Sequence, residues 1–218
     1  IFMMTRADRT IGDCLEVFDE VADLGLSHIG FKDVGVAPEV LDALHRRIKD
    51  AGAISYLEVV SLTPETARQS ALAARRLGVD RLLGGADAPA ILDAIAGSGI
   101  DYYPFVGSPH GHPTALSGSP EEIARDCRRA DQLGCAGVDL LAFRAAIESP
   151  IELVRAARVA LRGRLLVAGS ISSPDQIAEL ASLGVDAFTV GTALFEGRFA
   201  SGKSSLRAQL AEVLAAAA

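Results

Sequence analysis

The chain alternates between segments with helical spacing of apolar residues and short apolar runs, and a glycine marks most changes from one to the other. In seven places a helical pattern ends at or beside a glycine, two or three residues follow, and an apolar run begins, as in RLGVDRLLGG and SLGVDAFTV. Glycine suits the left-handed conformation that closes a helix. Each change therefore predicts a helix followed by a strand. The glycines are Gly25, Gly52, Gly78, Gly99, Gly134, Gly163 and Gly184.

With the opening run IFMMT, these seven changes predict eight strands separated by helices. Parallel strands need such helical crossovers, so the alternation indicates a parallel sheet buried on both faces. We expect a single (β/α)8 TIM barrel over residues 1–218. The alternative is a flavodoxin-like open sheet, which the apolar first strand disfavours because it would lie at an edge. The predicted strands lie near residues 1–5, 28–33, 55–61, 81–86, 101–106, 137–142, 164–169 and 186–191.

Composition narrows the range of partners and compartments. The 218 residues are half apolar, which suits one large core, and the net charge of −7 argues against a nucleic-acid or anionic-membrane partner. A local pocket for a small phosphorylated metabolite stays compatible with that charge. The three cysteines lack metal-ligand spacing, and no apolar run approaches the ~20 residues of a membrane span. We therefore expect reduced thiols and a cytoplasmic protein, and the sequence leaves a homo-oligomer open.

The stretch GRFASGKSS, residues 197–205, matches the phosphate-loop pattern G-x-x-x-x-G-K-[ST]. That motif binds nucleotides where a strand leads directly into the loop and a helix leaves it. Here TALFE separates the last predicted strand from the motif, and no later strand is predicted to supply an acidic partner for Mg²⁺. We interpret the match as accidental and predict a turn before the last helix.

The ends of predicted strands 7 and 8 offer a different anion site. They have the sequences VAGSISS and TVGTALFEG, in which Gly169 and Gly191 let backbone N–H groups approach an anion, while Ser170 and Thr192 add hydroxyls. Residues 165–197 thereby resemble the ribulose-phosphate-binding barrels, which include barrels of histidine and tryptophan biosynthesis, pentulose-phosphate epimerases and sugar-phosphate decarboxylases. The resemblance implies that Gly169, Ser170, Gly191 and Thr192 hold a substrate phosphate. The alternative is that both glycines only permit tight turns.

Two departures prevent assignment to a single member of that superfamily. Histidine-biosynthesis isomerases have an aspartate in the first strand, whereas this chain has Met3 and Met4 there. Superfamily decarboxylases have the pattern Asp-x-Lys-x-x-Asp on strand 3, whereas strand 3 here is SYLEVVS. The reaction must therefore be inferred from the residues themselves.

Charged residues within the predicted strands are the catalytic candidates. A strand charge that faced the surrounding helices would be costly, so we expect Lys32, Glu58 and Asp139 to point into the barrel. Neighbouring strands ~4.8 Å apart bring Lys32 and Glu58 into contact. A buried lysine beside a carboxylate serves as a proton carrier or, with a lowered pKa, as a Schiff-base nucleophile. The alternative is a structural ion pair that fills the barrel.

Further polar residues follow the strands at the same rim. Arg6, Asp33 and Arg144 are candidates for substrate binding, Arg144 through a carboxylate or phosphate group, and Asp87 is a weaker candidate. The long fifth loop, VGSPHGHPTALSGS, is a candidate lid. Its His110 and His112 are candidates for substrate contact. No strand-end carboxylate or histidine completes a metal site with them, so we expect no metal, and no motif indicates a cofactor.

These residues favour an enzyme that isomerises, epimerises or cleaves a small phosphorylated carbonyl compound, such as a sugar phosphate. In that hypothesis Lys32, Glu58 and Asp139 share the proton transfers, and the strand 7 and 8 turns anchor the phosphate. A second hypothesis is a class I aldolase with Lys32 as the Schiff-base residue. A third is a barrel that binds a phosphorylated ligand without catalysis, since a fold alone does not establish function.

Overall fold

The computed structural model describes residues 1–61, 63–85 and 87–217. Its eight parallel strands follow one another around a barrel in chain order, which confirms the predicted (β/α)8 fold. The strands are β1 (Phe2–Met3), β2 (His28–Lys32), β3 (Ile54–Val59), β4 (Arg81–Gly84), β5 (Asp101–Tyr103), β6 (Gly137–Leu140), β7 (Arg164–Val167) and β8 (Ala187–Phe188).

The strands form a five-stranded sheet, β1 to β5, and a three-stranded sheet, β6 to β8. Isolated bridges link the two sheets at both seams: Phe2 pairs with Val190, and Phe105 pairs with Asp139. At these seams the N–H of Met3 donates to the Val190 carbonyl at 2.8 Å, and the N–H of Asp139 donates to the Pro104 carbonyl at 2.9 Å. The eight-stranded ladder is therefore interrupted twice, and the observed strands are shorter than predicted.

The helices surround the strands and bury their apolar faces against them. The core between the two layers contains, among others, Leu44, Ile48, Leu82 and Ile123, all of them fully buried. None of the described helices has both the length and the apolar character of a membrane span. The helices are α1 (Cys14–Val21), α2 (Pro38–Asp50), α3 (Pro64–Leu77), α4 (Ala88–Ala94), α5 (Pro120–Leu133), α6 (Pro150–Ala160), α7 (Pro174–Ser182), α8 (Thr192–Phe195) and α9 (Leu206–Ala217).

Six of the seven marker glycines adopt the positive φ that was predicted for them, and Gly163 does not. Helix α6 instead ends at Ala160 with an extended Leu161. A Cβ on Gly163 would lie 2.9 Å from the Ala136 carbonyl oxygen. Gly163 is therefore required by the close approach of the chain to the start of β6, not by a helix end.

The loops after β1 and β5 are ordered hairpins at the C-terminal end of the barrel. The first pairs Thr5–Arg6 with Arg9–Thr10, and the second pairs Ser108–His110 with Ala115–Ser117. Leu116 in the second hairpin is 1 % exposed and bridges to Ala145, which follows β6. The predicted fifth loop is thus anchored to the barrel.

The segment that matches the phosphate-loop motif is a turn tied to α9. Lys203 forms an ion pair with Glu212, and the Gln209 amide binds backbone groups of Ala200 and Lys203. Helix α8 lies between β8 and this turn. The strand–loop–helix context that a nucleotide site needs is therefore missing from this segment.

Candidate active site

A cavity of about 300 Å³ opens at the C-terminal ends of the strands. Its volume is at the lower end of the ~300–1,000 Å³ typical of small-molecule sites. The side chains of Lys32 and Glu58 line it, together with the loops that follow β1, β5, β6, β7 and β8. The cavity therefore combines the two main catalytic candidates with the predicted phosphate turns.

A larger cavity, about 990 Å³, lies at the opposite end of the barrel. His28, Tyr56, Arg81 and Arg164 line one part of it, and apolar residues of α7 and α9 line another. Barrel enzymes place their chemistry at the C-terminal ends of the strands, whereas the other end serves stability. We therefore assign the candidate active site to the smaller cavity.

Lys32 and Glu58 are opposite each other in the register of β2 and β3. The Lys32 Nζ lies 3.0 Å from Glu58 Oε1, so the predicted contact is present, and 2.9 Å from Asp8 Oδ1. The three side chains are between 2 % and 8 % exposed. Lys32 is thus held between two buried carboxylates.

The surrounding charges decide the protonation state of Lys32. Burial alone would lower the pKa of Lys32, but the negative charges of Glu58 and Asp8 raise it above the ordinary lysine value. Lys32 is therefore an ammonium group at neutral pH. A Schiff-base nucleophile needs the free amine, so this environment favours proton transfer and charge stabilisation.

Asp8 was not among the residues predicted from the sequence. Its Oδ1 accepts from Lys32 Nζ at 2.9 Å and from Arg144 at 3.0 Å, while its Oδ2 accepts from Arg144 and from the Thr114 N–H, both at 2.9 Å. Burial would raise the pKa of Asp8, but the Arg144 hydrogen bonds and the Lys32 charge hold it well below its usual range. Asp8 is therefore a carboxylate with four donors.

The backbone around Asp8 is strained. Ala7 and Asp8 form the two-residue turn of the first hairpin, with φ angles of 48° and 57°. Non-glycine residues in this region cost about 1–3 kcal/mol each and persist where the surroundings fix them. Such turns usually have Asn-Gly or Asp-Gly sequences, so Ala7-Asp8 gave no hairpin signal. The polar stretch TRADRT was the only cue to a functional residue.

Asp139 occupies the barrel interior on β6, as predicted, but does not line the cavity. It is fully buried, and both carboxyl oxygens lack a hydrogen-bond partner among the described residues. Burial, and then the charge of Glu58, raise its pKa well above the ordinary aspartate value. Asp139 therefore lies below the cavity surface in surroundings that favour its protonated form, and its catalytic role stays a prediction.

The turns after β7 and β8 both line the cavity, as predicted. Gly169 and Ser170 have φ angles of 78° and 58°, and a Cβ on Gly191 would lie 2.8 Å from the Met3 carbonyl oxygen. Within the described ranges, the backbone N–H groups of residues 169–171 and 191–193 donate no hydrogen bond to the protein. These two turns therefore supply free donors for an anion.

Two further cationic residues line the cavity, and they differ in availability. Arg144, a predicted substrate-binding residue, is engaged by Asp8 through two parallel hydrogen bonds. Arg198, which the sequence interpretation missed, is 59 % exposed in its side chain and pairs with Glu196 at the rim. Arg198 is therefore better placed to meet a ligand phosphate than Arg144. It lies within residues 197–205, which the sequence analysis considered only as a match to the nucleotide-binding motif.

The other predicted substrate-binding residues lie outside the cavity lining. Arg6 is exposed and stacks over the Phe195 ring, and Asp33 accepts from the Ser70 hydroxyl of α3. His110 and His112 are exposed in the fifth-loop hairpin, where His110 bonds the Ser108 carbonyl. The hairpin reaches the cavity through Pro113 and Thr114 instead. The weaker candidate Asp87 caps α4 through the Ala90 N–H.

Metal ligation finds no support in the part of the chain that the structure describes. There, no group of three or more His, Cys, Asp or Glu side chains is arranged to hold a metal ion. The carboxylates of the cavity are instead engaged by Lys32 and Arg144. The chemistry available to these side chains is proton transfer and the stabilisation of negative charge.

Comparison with protein-family models and with curated protein sequences found no match. Comparison with solved structures found matches that extend over nearly the whole chain. Orotidine 5'-phosphate decarboxylase from Pyrococcus horikoshii OT3 has a TM-score of 0.69 at 15% identity, over 100% of this chain and 99% of that chain. The tryptophan synthase complex from Pyrococcus furiosus gives 0.69 at 15% identity, over 98% and 96%. A structure described as native KDPGal gives 0.66 at 15% identity, over 99% and 93%. At these identities the similarity establishes a shared fold.

Proposed function

We propose that this protein is an acid–base enzyme that isomerises, epimerises or cleaves a small phosphorylated carbonyl compound, with a sugar phosphate as the substrate class. One observation carries the proposal. The Lys32 ammonium, paired with Glu58, lines the same 300 Å³ cavity as the free N–H groups after β7 and β8. The cavity thus offers a proton-transfer pair and an anion anchor to one small molecule.

In this proposal the two turns and Arg198 bind the phosphate group. Free backbone N–H groups in tight turns form concave sites for anions, and a nearby guanidinium adds charge. Orotidine 5'-phosphate decarboxylase, one of the structures with this fold, has a phosphorylated substrate in its name. Because fold alone does not establish function, the proposal depends on the residues of this cavity.

The reacting end of the substrate lies against Lys32 and Glu58. Glu58 removes a proton from the carbon next to the carbonyl group, and the Lys32 ammonium donates a hydrogen bond to the carbonyl oxygen as negative charge develops there. In isomerisation and epimerisation the resulting enediolate takes the proton back at the neighbouring carbon or on the opposite face. In carbon–carbon cleavage Glu58 instead removes the proton of the hydroxyl group one carbon further on, and the breaking carbon–carbon bond leaves an enolate that is then protonated. Asp139, buried below the cavity surface, is the third candidate for proton transfer.

The proposal is tested by hydrogen exchange of substrates in D2O. Phosphorylated aldoses, ketoses and 2-keto acids are incubated with the protein, and ¹H NMR follows deuterium incorporation next to the carbonyl group. We expect exchange with one class of compound and a loss of ~10²-fold or more in Glu58→Gln, the usual scale for a general base. The matched control is Glu212→Gln, which removes a carboxylate paired with Lys203 on α9.

Three outcomes separate the alternatives. Exchange that persists unchanged in Glu58→Gln removes Glu58 from the mechanism. A covalent adduct trapped on Lys32 by borohydride establishes the Schiff-base hypothesis instead, and the assignment is direct because the chain has only three lysines, Lys32, Lys49 and Lys203. Binding of phosphorylated compounds without exchange, turnover or trapping supports the non-catalytic barrel.

A further inference from the structure

We infer that Asp8 is a positioning residue of this site: its carboxylate fixes the Lys32 ammonium group and joins the loops after β1, β5 and β6 around it. The inference rests on the proposed function, because it concerns how the proton-transfer pair is held. No sequence motif indicated Asp8, and its contacts alone assign the role.

The hydrogen bonds of Asp8 distinguish it from Glu58. Both Asp8 oxygens have two donors each, supplied by Lys32, Arg144 and the Thr114 N–H. A carboxylate accepts roughly four such bonds, so Asp8 has no acceptor position left for a substrate proton. Among the described residues, Glu58 has only Lys32 as a side-chain partner. Glu58 is therefore free to act as the base, and Asp8 acts through the residues it holds.

Three loops meet at this one carboxylate. Asp8 itself belongs to the turn after β1, Thr114 to the hairpin after β5, and Arg144 to the segment after β6. The left-handed φ angles of Ala7 and Asp8 aim the carboxylate inward, where it is 2 % exposed. An asparagine at this position would present an amide NH2 to one of these donors, so the charge and the full set of acceptors are both required.

The charge of Asp8 acts on Lys32 in a measurable way. The titratable and charged groups around Lys32 are Asp8 from the first loop, Glu58 from β3, Asp33 after β2, Asp139 from β6 and, through Asp8, Arg144. An opposite charge at hydrogen-bond distance shifts a pKa by ~1–3 units. Removing the charge of Asp8 while Glu58 stays in place should therefore lower the pKa of Lys32 by ~1–3 units.

The experiment is a pH titration of lysines labelled with ¹³C at Cε, followed by NMR. The wild type is compared with Asp8→Asn, and the chain gives only three lysine signals. We expect the Lys32 signal to titrate ~1–3 pH units lower in Asp8→Asn than in wild type. The matched control is Glu212→Gln, which removes a carboxylate paired with a different lysine, Lys203, and should leave the Lys32 signal where it is in wild type. An unchanged Lys32 titration in Asp8→Asn overturns the inference.

Asp8→Glu provides a second variant in case Asp8→Asn does not fold. It retains the carboxylate, so Lys32 should keep a pKa above the ordinary lysine value of 10.5. A Lys32 pKa at or below the ordinary value of 10.5 in this variant also overturns the inference. With a substrate in hand, Asp8→Asn should lower kcat and move the alkaline limb of the kcat/KM profile to lower pH, and Asp8→Glu should restore the limb.

The titration needs no substrate, so the two proposals fail separately. A shifted Lys32 signal without proton exchange in any compound rejects the proposed reaction and leaves Asp8 as the residue that sets the state of Lys32. Exchange that requires Glu58, together with an unshifted Lys32 signal, supports the reaction and rejects the role of Asp8.

Discussion

Among the described residues of the candidate site, Lys32 is the one side chain that forms ion pairs with both Asp8 and Glu58. It is 3 % exposed, and its ammonium group separates the carboxylates of Asp8 and Glu58. Removing one member of a buried ion pair usually costs ~3–5 kcal/mol, because the remaining charge is left uncompensated. We therefore expect Lys32 to contribute to stability as well as to the proposed chemistry.

We predict that Lys32→Met lowers the free energy of unfolding by about 3–5 kcal/mol at pH 7, measured by urea denaturation. Lys203→Met, which removes an exposed ion pair with Glu212, should change it by less than about 1 kcal/mol. Equal small effects of both substitutions would show that the buried pair contributes little to stability.

The difference in the free energy of unfolding between wild type and Lys32→Met should depend on pH at both acidic and alkaline pH. The lowered pKa of Asp8 gives stability that is present above the ordinary aspartate value of 3.8 and is lost as pH falls through the folded value. The raised pKa of Lys32 gives stability that is full below its ordinary value of 10.5 and is lost as pH rises through the folded value. The cost of Lys32→Met should therefore be constant near neutrality and shrink below about pH 4.

At the residue scale, the sequence predicted those site residues that lie inside regular strands. Lys32 and Glu58 are charges in strand patterns, and the period of two together with the strand spacing brings them into contact. Asp8 and Thr114 lie in hairpins, where no period fixes the direction of a side chain. Arg6 was predicted from its place after the first strand, whereas Asp8, two residues later, was not predicted. The hairpin turn sends Asp8 inward and leaves Arg6 exposed over Phe195.

At the scale of elements, the turn after β7 connects the predicted phosphate site to the Asp8 network. A Cβ on Gly169 would lie 2.3 Å from the Arg144 Nε, so Arg144 packs directly against the Gly169 backbone. The φ angle of Gly169, 78°, also disfavours any other residue. Changes in this turn should therefore disturb both anion binding and the position of Arg144.

We predict that Gly169→Ala abolishes stabilisation by inorganic phosphate, measured as the rise in Tm when phosphate is added at constant ionic strength. Bound ligand stabilises the native state by mass action, so loss of binding removes the rise. Gly25→Ala is the matched control, because Gly25 has a similar φ of 69° with nothing within 4 Å of its added Cβ. Both variants should lose stability through backbone strain, but Gly25→Ala should keep the phosphate response. A phosphate response in Gly169→Ala equal to that of wild type would place the anion elsewhere.

The sequence predicted elements well where local chemistry determines them. Six of the seven marker glycines have the expected left-handed φ, because that conformation depends on the local backbone. The hairpins after β1 and β5 were missed, because their pairing depends on contacts with other loops, such as the bridge between Leu116 and Ala145. These contacts also bring Asp8 and Thr114 into the site.

At the scale of the whole molecule, eight repeated units predicted the barrel but not its division into two sheets. The repeated pattern gives the number and order of the strands and helices. It contains no information on how many hydrogen bonds join a particular pair of neighbouring strands. Single bridges at the β5–β6 and β8–β1 seams replace continuous ladders. The residues of the candidate site come from both sheets, with Lys32 and Glu58 on one and the phosphate turns on the other.

This division predicts a pattern of native-state hydrogen exchange. Opening free energies vary within a protein, and isolated bridges flanked by loops should open more easily than a continuous ladder. We expect the amides of Met3 and Asp139, which donate across the seams, to exchange at least about tenfold faster than those of Leu57 and Leu82 in β3 and β4, a difference of about 1.4 kcal/mol in opening free energy.

Phosphate should slow exchange more at Met3 than at Asp139, because the proposed anion site includes the turn after β8, which adjoins the β8–β1 seam. NMR measures the exchange of each amide. Equally slow exchange at the seams and in the continuous ladders would show that the barrel opens as one unit. Equal protection of both seams by phosphate would argue against an anion held at Gly191 and Thr192.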